Sequence, residues 1–193
     1  MVSRHEDMDD HELARRFLDG ERWTFDVLMQ RHERRIHRLA LGMLGDADAA
    51  DDVTQETFIK AFRSLASFQF RSQFGTWLHR IAVNLCLSRL RSSRRHPLVA
   101  LGDVVRSLRS GRGRPAEDLA RKDLAARIEA AVAALPPKQR AVFLLRHREG
   151  LAYAEIAAAL DRSEGGVRAN YFQALQKLKR ELSDHEDALD DPS

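Results

Sequence analysis

The sequence predicts an all-α fold of two small helical domains joined by a flexible linker, and three observations support this. Apolar residues recur at steps of three and four along most of the 193 residues, whereas the alternation typical of strands is absent. A stretch rich in Ser, Gly and Arg interrupts this pattern at residues 92–115. Beyond it, two helical segments flank a tight turn, which predicts a helix-turn-helix in the C-terminal domain.

The N-terminal half predicts four helices around one core. The expected elements are helices over about 10–20 (capped by Asp10), 24–44, 46–65 and 75–91, with a Phe-rich loop at 66–74. The expected core positions of the second and third helices are Phe25, Leu28, Ile36, Leu39, Met43, Val53, Phe58, Ile59 and Phe62. We assign residues 1–95 to this domain and residues 96–116 to the linker.

The C-terminal half predicts a smaller helical unit. A helix resumes near residue 117 and continues to about 135, where two prolines stop it. The second of them, Pro137, is expected near the start of the next helix, which ends at Gly150. We assign residues 117–185 to this domain and residues 186–193 to an acidic tail.

Residues 151–182 carry the most informative pattern in the chain. Ser163 follows a break in the helical pattern and is a good N-cap for the longer second helix. The apolar stripe of that helix is Val167, Tyr171, Ala174, Leu178 and Leu182, and its opposite face is Gly165, Ala169, Gln173, Gln176 and Arg180. Small residues at the start and a polar, basic outer face suit the major groove of DNA. Two amphipathic helices joined by a turn also commonly form only a core.

The net charge of +3 hides a segregated distribution of charge. Residues 57–102 contain no Asp or Glu, and their cations include Lys60, Arg63, Arg71, Arg80, Arg89 and Arg91. Just before them, a block without Lys or Arg contains Asp48, Asp51, Asp52 and Glu56. The basic segment favours a phosphate-bearing partner, and the acidic block indicates a second partner that is basic.

Three interpretations of the acidic helix stay open. Asp48, Asp52 and Glu56 lie four residues apart and share one face, which suits a docking surface, a solvated face or a metal site. A metal site would need His32 or His37 from the neighbouring helix, and the arginines beside them oppose a cation.

The remaining motifs give no support for catalysis. The sequence has no glycine-rich phosphate loop and no nucleophile elbow, so we expect no catalytic residue, metal or cofactor. The single Cys86 fits a core position in a reducing cytoplasm. Apolar runs are too short to span a bilayer, and the acidic N-terminus has no signal-peptide core, so we expect no membrane insertion.

Aromatic and basic residues alternate in the loop before the fourth helix. The loop and the start of that helix hold Phe68, Phe70, Arg71, Ser72, Gln73, Phe74 and Trp77. Rings interleaved with arginine suit single-stranded DNA, since bases stack on the rings and phosphates pair with the cations. Asn84 could then bond the edge of an extruded base. The alternative is that the three Phe residues are core and Asn84 is an ordinary surface residue.

These segments together resemble the extracytoplasmic-function (ECF) type of bacterial sigma factor. The run from Phe25 to Leu65 looks like the family's first conserved region with its clamp-binding helix, and FGTWLHRIAVNLCLSRLR looks like the segment that opens and reads the −10 element. The run from Leu135 to Leu182 looks like the −35-binding region. The likeness covers about residues 17–182, and three matches in order are far more specific than one.

The resemblance implies three sets of contact residues. The set expected to bind the β′ clamp of RNA polymerase core is Asp48, Asp51, Asp52, Gln55 and Glu56. The set expected at the −10 element and single-stranded DNA is Lys60, Arg63, Phe68, Phe70, Arg71, Ser72, Gln73, Trp77, Arg80, Asn84 and Arg91, with Arg89 on the backbone. The set expected at the −35 element is Ser163, Gly165, Arg168, Ala169, Phe172, Gln173 and Lys177.

The resemblance also implies a function and partners. The expected protein is a cytoplasmic, non-enzymatic alternative sigma factor that binds core polymerase at the β′ clamp and β flap, recognises promoter DNA and is held by an anti-sigma factor. Many members carry arginine where this chain has Asn170, Gln173 and Leu175. The alternative from a different class is a stand-alone helix-turn-helix transcriptional regulator.

Overall fold

The computed structural model describes residues 8–95 and 116–187, and the side chains of residues 8–92 and 124–183. Within these ranges all regular structure is helical, which confirms the all-α prediction. The helices are α1 (Asp10–Leu18), α2 (Trp23–Leu44), α3 (Ala47–Ser64), α4 (Phe74–Arg95), α5 (Ala116–Ala134), α6 (Pro137–His147), α7 (Tyr153–Leu160) and α8 (Glu164–Asp187), with a 3-10 turn at Leu65–Ser67. In the described ranges we find no helix with the length and apolar character that a bilayer crossing requires.

Helices α1 to α4 pack around the first core, and their ends follow from local chemistry. The Asp46 carboxylate accepts a hydrogen bond from the Ala49 amide at 2.7 Å and caps α3. The cap of α1 is Asp9, not the expected Asp10. Asp10 instead accepts bonds from Arg31 at 3.0 Å and from His32 at 2.6 Å, because its side chain faces α2.

The expected core of α2 and α3 is mostly confirmed. Seven of the nine positions are buried, from Phe25 to Phe58, with exposures of 6% or less. Ile59 is 50% exposed and Phe62 is 38% exposed, so the prediction was wrong for these two. Each follows a buried residue directly, Phe58 and Ala61 respectively, and so lies at the rim of the α2–α3 contact. There the Phe62 ring meets the Phe17 ring edge-on, with 5.0 Å between the ring centres.

Helices α5 to α8 form the second core. Pro137 begins α6 as expected, and residues 141–145 of α6 are all buried. Three of the five positions of the expected α8 stripe are buried: Val167, Ala174 and Leu178 are 7% exposed or less, and Tyr171 and Leu182 are partly exposed. The Ser163 hydroxyl accepts a hydrogen bond from the Gly166 amide at 3.2 Å, as expected for an N-cap.

The break between the two helical groups differs from the expected one at its edges. α4 continues through Arg95, so residues 92–95 are helical although their composition resembles a linker. α5 begins at Ala116, the last residue assigned to the linker. Residues 96–115 and the tail residues 188–193 lie outside the described part of the chain.

The two groups pack against each other, with α2 and α4 facing α6 and α7. Gly42 lies against α6, and a β-carbon there would stand 3.0 Å from the Leu144 side chain. The Arg140 guanidinium donates to the Met43 carbonyl at 2.6 Å and to Leu135 at 3.1 Å, so it satisfies carbonyls at the ends of two helices.

Candidate functional site

The acidic face of α3, defined here as Asp48, Asp51, Asp52, Gln55 and Glu56, is open to solvent. Three of its carboxylates pair with cations: Asp51 with His37 at 3.1 Å, Asp52 with Arg89 at 3.1 Å, and Glu56 with Lys60 at 3.0 Å. Their side chains still expose 64%, 64% and 42%. Exposed pairs contribute little to stability. A partner that carries Lys or Arg can therefore exchange with them at small cost.

An apolar groove adjoins the acidic face between α2 and α3. Met29, Phe58, Ile59 and Phe62 line it, and Gln55 belongs to both surfaces. Ile59 and Phe62 are the two residues expected in the core that the structure exposes. An apolar strip beside a row of carboxylates is typical of a protein-binding surface.

A basic groove of about 700 Å³ lies between α3 and α4. Its lining residues are Glu56, Lys60, Arg63, Ser64, Ile81, Asn84, Leu85, Ser88, Arg89 and Arg91. Five of the residues predicted for DNA contact (Lys60, Arg63, Asn84, Arg89 and Arg91) thus meet in one groove. Asn84 is exposed, and the steps 77, 81, 84, 88 and 91 form one stripe along α4. Trp77, two turns before Asn84 on this stripe, joins the groove to the aromatic loop.

The aromatic loop, residues 68–73, is anchored in the first core by its aromatic rings. Phe68 is 4% exposed, and its ring lies 4.8 Å from that of Phe70 and 5.3 Å from that of Trp77. Phe74 is fully buried. The expectation that Phe68 offers a stacking surface is therefore wrong, because both it and Phe74 are used to anchor the loop.

Helix α1 holds this loop in place. The His11 ring bonds the Ser72 carbonyl at 3.0 Å, and the Arg15 guanidinium lies 5.1 Å from the centre of the Phe70 ring. Phe70 takes a left-handed backbone with φ of 56°, which turns the chain towards α4. Arg71, Gln73 and Arg80 are exposed, and Ser72 and Trp77 are partly exposed. These side chains remain accessible to a ligand.

The outer face of α8 is also open. Ser163, Gly165, Arg168, Ala169, Phe172 and Gln173 are exposed, and Lys177 is partly exposed. Arg168 pairs with Glu164 at 2.5 Å and stacks over Tyr153 at 5.1 Å. Gln173 accepts a hydrogen bond from Gln139 of α6 at 2.8 Å. Phe172, with 61% exposure, is the most exposed of the large apolar residues in the described part of the chain.

Two polar contacts between the helical groups were not predicted. His79 of α4 and Glu149, which follows α6, are nearly buried side chains 3.7 Å apart. Burial raises the pKa of Glu149, but His79, Arg38 and Arg35 together outweigh it and hold that pKa below its ordinary value. Glu149 lies outside the helices, and His79 is a polar residue among the buried positions of α4, so the apolar pattern marked neither of them. Arg140 was missed for the same reason.

Cys86 is a core residue, as expected. Its side chain is fully buried, and burial raises the pKa of the thiol to about 12. The described residues also contain no cluster of three metal-ligating side chains. The Asp52 and Glu56 carboxylates pair with Arg89 and Lys60.

Comparison with known proteins identifies the family. The family model for Sigma-70 region 2 matches residues 28–96, which contain the acidic face and the basic groove. The model for Sigma-70 region 4 matches residues 125–178, which contain the helix-turn-helix. The ECF RNA polymerase sigma factor SigM of Mycobacterium tuberculosis is 36% identical over 93% of this chain and 87% of its own length.

Solved structures show the same fold. CnrH in complex with the cytosolic domain of CnrY has a TM-score of 0.65 and 27% identity, covering 89% of this chain and 95% of that one. The sigma factor RpoE in complex with the anti-sigma factor NepR, from Bartonella quintana, has a TM-score of 0.64 and 23% identity over 82% of this chain and 96% of that one. With both sigma regions in order and a relative matched along nearly its whole length, the chain belongs to the ECF family of RNA polymerase sigma factors.

Proposed function

We propose that this alternative sigma factor binds RNA polymerase core through the acidic face and the adjoining apolar groove. The carboxylates would pair with a basic surface of the β′ clamp, and Ile59 and Phe62 would be buried against it. One observation carries the proposal: the acidic face, the basic groove and the outer face of α8 are all solvent-exposed while both cores are buried. These three surfaces would serve RNA polymerase core, the melted strand and the duplex, respectively.

The basic groove would hold the separated strand of the −10 element. Lys60, Arg63, Arg89 and Arg91 would neutralise its phosphates, and each such contact releases a counterion. Asn84 would bond an extruded base, with Trp77 and Phe70 as the partly exposed rings nearest the aromatic loop. Arg71, Ser72, Gln73 and Arg80 would line the same path, and Phe68 would support the loop from within.

The outer face of α8 would lie in the major groove of the −35 element. Arg168, Ala169, Phe172 and Gln173 would face base edges, and Lys177 would approach a phosphate. Ser163 and Gly165 would lie against the DNA backbone, since the first amides of α8 have no partners further back in the helix. A β-carbon added at Gly165 would meet no other atom of the chain within 4 Å, so close approach by DNA is a suitable reason for a glycine there.

Each part of the chain would have a separate role. Residues 1–95 would form the core-binding and −10 domain, residues 117–185 the −35 domain that also meets the β flap, and residues 96–116 the connection, with 186–193 as a tail. The chain would perform no chemistry itself, because the polymerase makes the RNA, and it would act in the cytoplasm, where polymerase and promoter DNA meet. An anti-sigma factor would act by covering the same apolar groove and acidic face.

Core binding by the acidic face is tested by charge reversal. Asp52→Arg should abolish co-purification with RNA polymerase core, and Gln55→Ala should weaken it, since both side chains are exposed at the centre of that face. The matched control is Asp19→Arg, which makes the same change at an exposed carboxylate outside the face. If Asp52→Arg and Asp19→Arg bind core equally well, the acidic face is not the docking surface.

A further inference from the structure

Gln173 and Gln139 form a contact between two helices at the outer face of α8. Gln139 lies in the first turn of α6, and its Nε2 donates a hydrogen bond to Oε1 of Gln173 at 2.8 Å. We propose that Gln139 is a positioning residue that holds the Gln173 amide so that it reads an adenine in the −35 duplex. The inference rests on the proposed function of α8 and specifies what that helix recognises.

The rotation of α8 about its axis places Gln173 at the DNA-facing side. Val167, Ala174 and Leu178 are buried against the second core, so the helix has one orientation. Gln173 precedes the buried Ala174 and follows the exposed Phe172, and it is itself exposed. Its amide can therefore reach a base edge without any rearrangement of the fold.

The hydrogen bonding of the Gln139 amide indicates a role outside the core. Its Oε1 is buried and has no hydrogen-bond partner, although its Nε2 is bonded to Gln173. A buried acceptor without a partner is costly, and such groups in a folded protein call for an explanation. The hydrogen bond from Gln139 joins α6 to α8 and restrains the long side chain of Gln173, because it limits the rotamers that this side chain can adopt.

The restrained amide has the groups that adenine requires. Its Oε1 has two lone pairs, of which Gln139 occupies one, so the other can accept a hydrogen bond from the N6 amino group. Its Nε2 can donate to N7 of the same base, which gives the bidentate pairing of glutamine with adenine in the major groove. A guanine presents two acceptors, O6 and N7, and would leave Oε1 of Gln173 facing another oxygen.

The neighbouring side chains also favour an A·T pair. Ala169 and Phe172 stand beside Gln173 on the same face and are exposed. Apolar side chains of this kind suit the methyl group of thymine.

The test selects bound sequences from a duplex promoter library randomised across the −35 region, using the complex of the full chain with RNA polymerase core. Wild type should enrich adenine over guanine at one position. Gln173→Ala should lower that preference by roughly 5- to 150-fold. Gln139→Leu, which keeps the size and removes the donor, should lower it by about two- to tenfold and leave other positions unchanged.

A control variant and a base analogue separate positioning from folding. Glu181→Ala, a change at an exposed position of α8 that belongs to neither the outer face nor the apolar stripe, should keep the adenine preference at that position. Replacing the selected adenine by 7-deazaadenine should weaken wild-type binding and leave Gln173→Ala unaffected. Equal loss of binding to all sequences in Gln139→Leu, or a wild-type preference for guanine that depends on Gln173, would overturn the inference. Failure of wild type to bind core would instead refute the proposed function, and the inference with it.

Discussion

The proposed role of Asn84 allows strand capture to be tested apart from polymerase binding. Its amide is exposed in the basic groove, on the same stripe of α4 as Trp77, while the acidic face lies on α3. Asn84→Ala should reduce open-complex formation by about 5- to 150-fold, which corresponds to a lost base contact of roughly 1–3 kcal/mol. Permanganate reactivity of unpaired thymines measures the opening directly.

Core binding should be unchanged in Asn84→Ala, because the variant leaves the acidic face intact. Ser88→Ala, one turn further along the same groove, is the matched control and should open promoters nearly as well as wild type. If Asn84→Ala loses core binding and opening to the same degree, Asn84 supports the fold and does not capture a base.

Residue identity alone could not separate buried from exposed positions among the large apolar residues. Phe68 and Ile59 both occur in segments with mixed patterns, and their environments turned out opposite to the expected ones, 4% and 50% exposed. The reason is that α1 packs over the loop through His11 and Arg15, whereas no element in the described part of the chain covers the α2–α3 groove. Contacts of this kind depend on tertiary packing, which periodicity does not report.

At the scale of the helix, α8 depends on its first turn. The Ser163 hydroxyl bonds the Gly166 amide, and Asp161 before it takes a left-handed backbone with φ of 52° to make the turn from α7. Ser163→Ala should lower the free energy of unfolding by about 0.5–2 kcal/mol, since an amide at the start of α8 loses its acceptor. Urea denaturation followed by circular dichroism gives this value.

The matched control for the cap is Ser183→Ala on the same helix. Ser183 donates to the Lys179 carbonyl, which already accepts within a helix, so its removal should change stability by less than about 0.5 kcal/mol. Equal effects of the two substitutions would contradict the assignment of Ser163 as a structural cap.

Element boundaries were predictable where a local signal exists. Pro137, Ser163 and Asp46 each begin or cap a helix as their chemistry requires. The start of α1 was displaced by one residue because Asp9 and Asp10 are equally good caps, and only the contact of Asp10 with α2 decides between them. The end of α4 at Arg95 was missed because Ser and Arg in a final turn read as linker composition.

The whole molecule packs its two helical groups together, and this arrangement bears on promoter binding. A compact chain of 193 residues has a radius of gyration of about 16 Å, hence a width of roughly 40 Å. The −10 and −35 elements are about 25 base pairs apart, or roughly 85 Å along the duplex. The packed chain cannot reach both, so we expect the two groups to separate on the promoter.

The pair of Glu149 and His79 should control this separation. Glu149→Gln removes the carboxylate that His79, Arg38 and Arg35 stabilise, and should weaken the contact by roughly 1–3 kcal/mol. Energy transfer between dyes at Asp19→Cys and Ser183→Cys, both exposed positions, reports the distance. Transfer should fall in Glu149→Gln and stay high in the control Glu181→Gln.

The pH dependence of this contact follows from the sign of the shift. The pKa of Glu149 is lowered in the folded chain, so its contribution is fully present above the ordinary value of 4.5 and is lost as the pH falls through the lowered value. The Glu149 carboxylate should therefore make energy transfer in wild type decrease as the pH falls below about 4.5. A Glu149→Gln chain with the same decrease would show that other groups cause it.

The contact between the groups was the part of the fold least open to prediction. Gly42, Arg140 and Glu149 carry it, and each reads in sequence as an ordinary helix-end or surface residue. The exposed acidic and basic surfaces and the orientation of α8 were more predictable, because runs of charge and an apolar stripe can be read from one continuous segment of sequence. The grouping of Lys60, Arg63, Asn84, Arg89 and Arg91 in one groove follows once α3 and α4 lie side by side.

Transcription in vitro measures directly whether this chain gives polymerase a start site. Purified RNA polymerase core would be mixed with fragments of genomic DNA, with and without the chain, and the 5′ ends of the transcripts mapped. We expect defined start sites only when the chain is present, and none with Asp52→Arg. Absence of chain-dependent start sites, together with tight binding of the chain alone to a palindromic duplex, would contradict its role as a sigma factor.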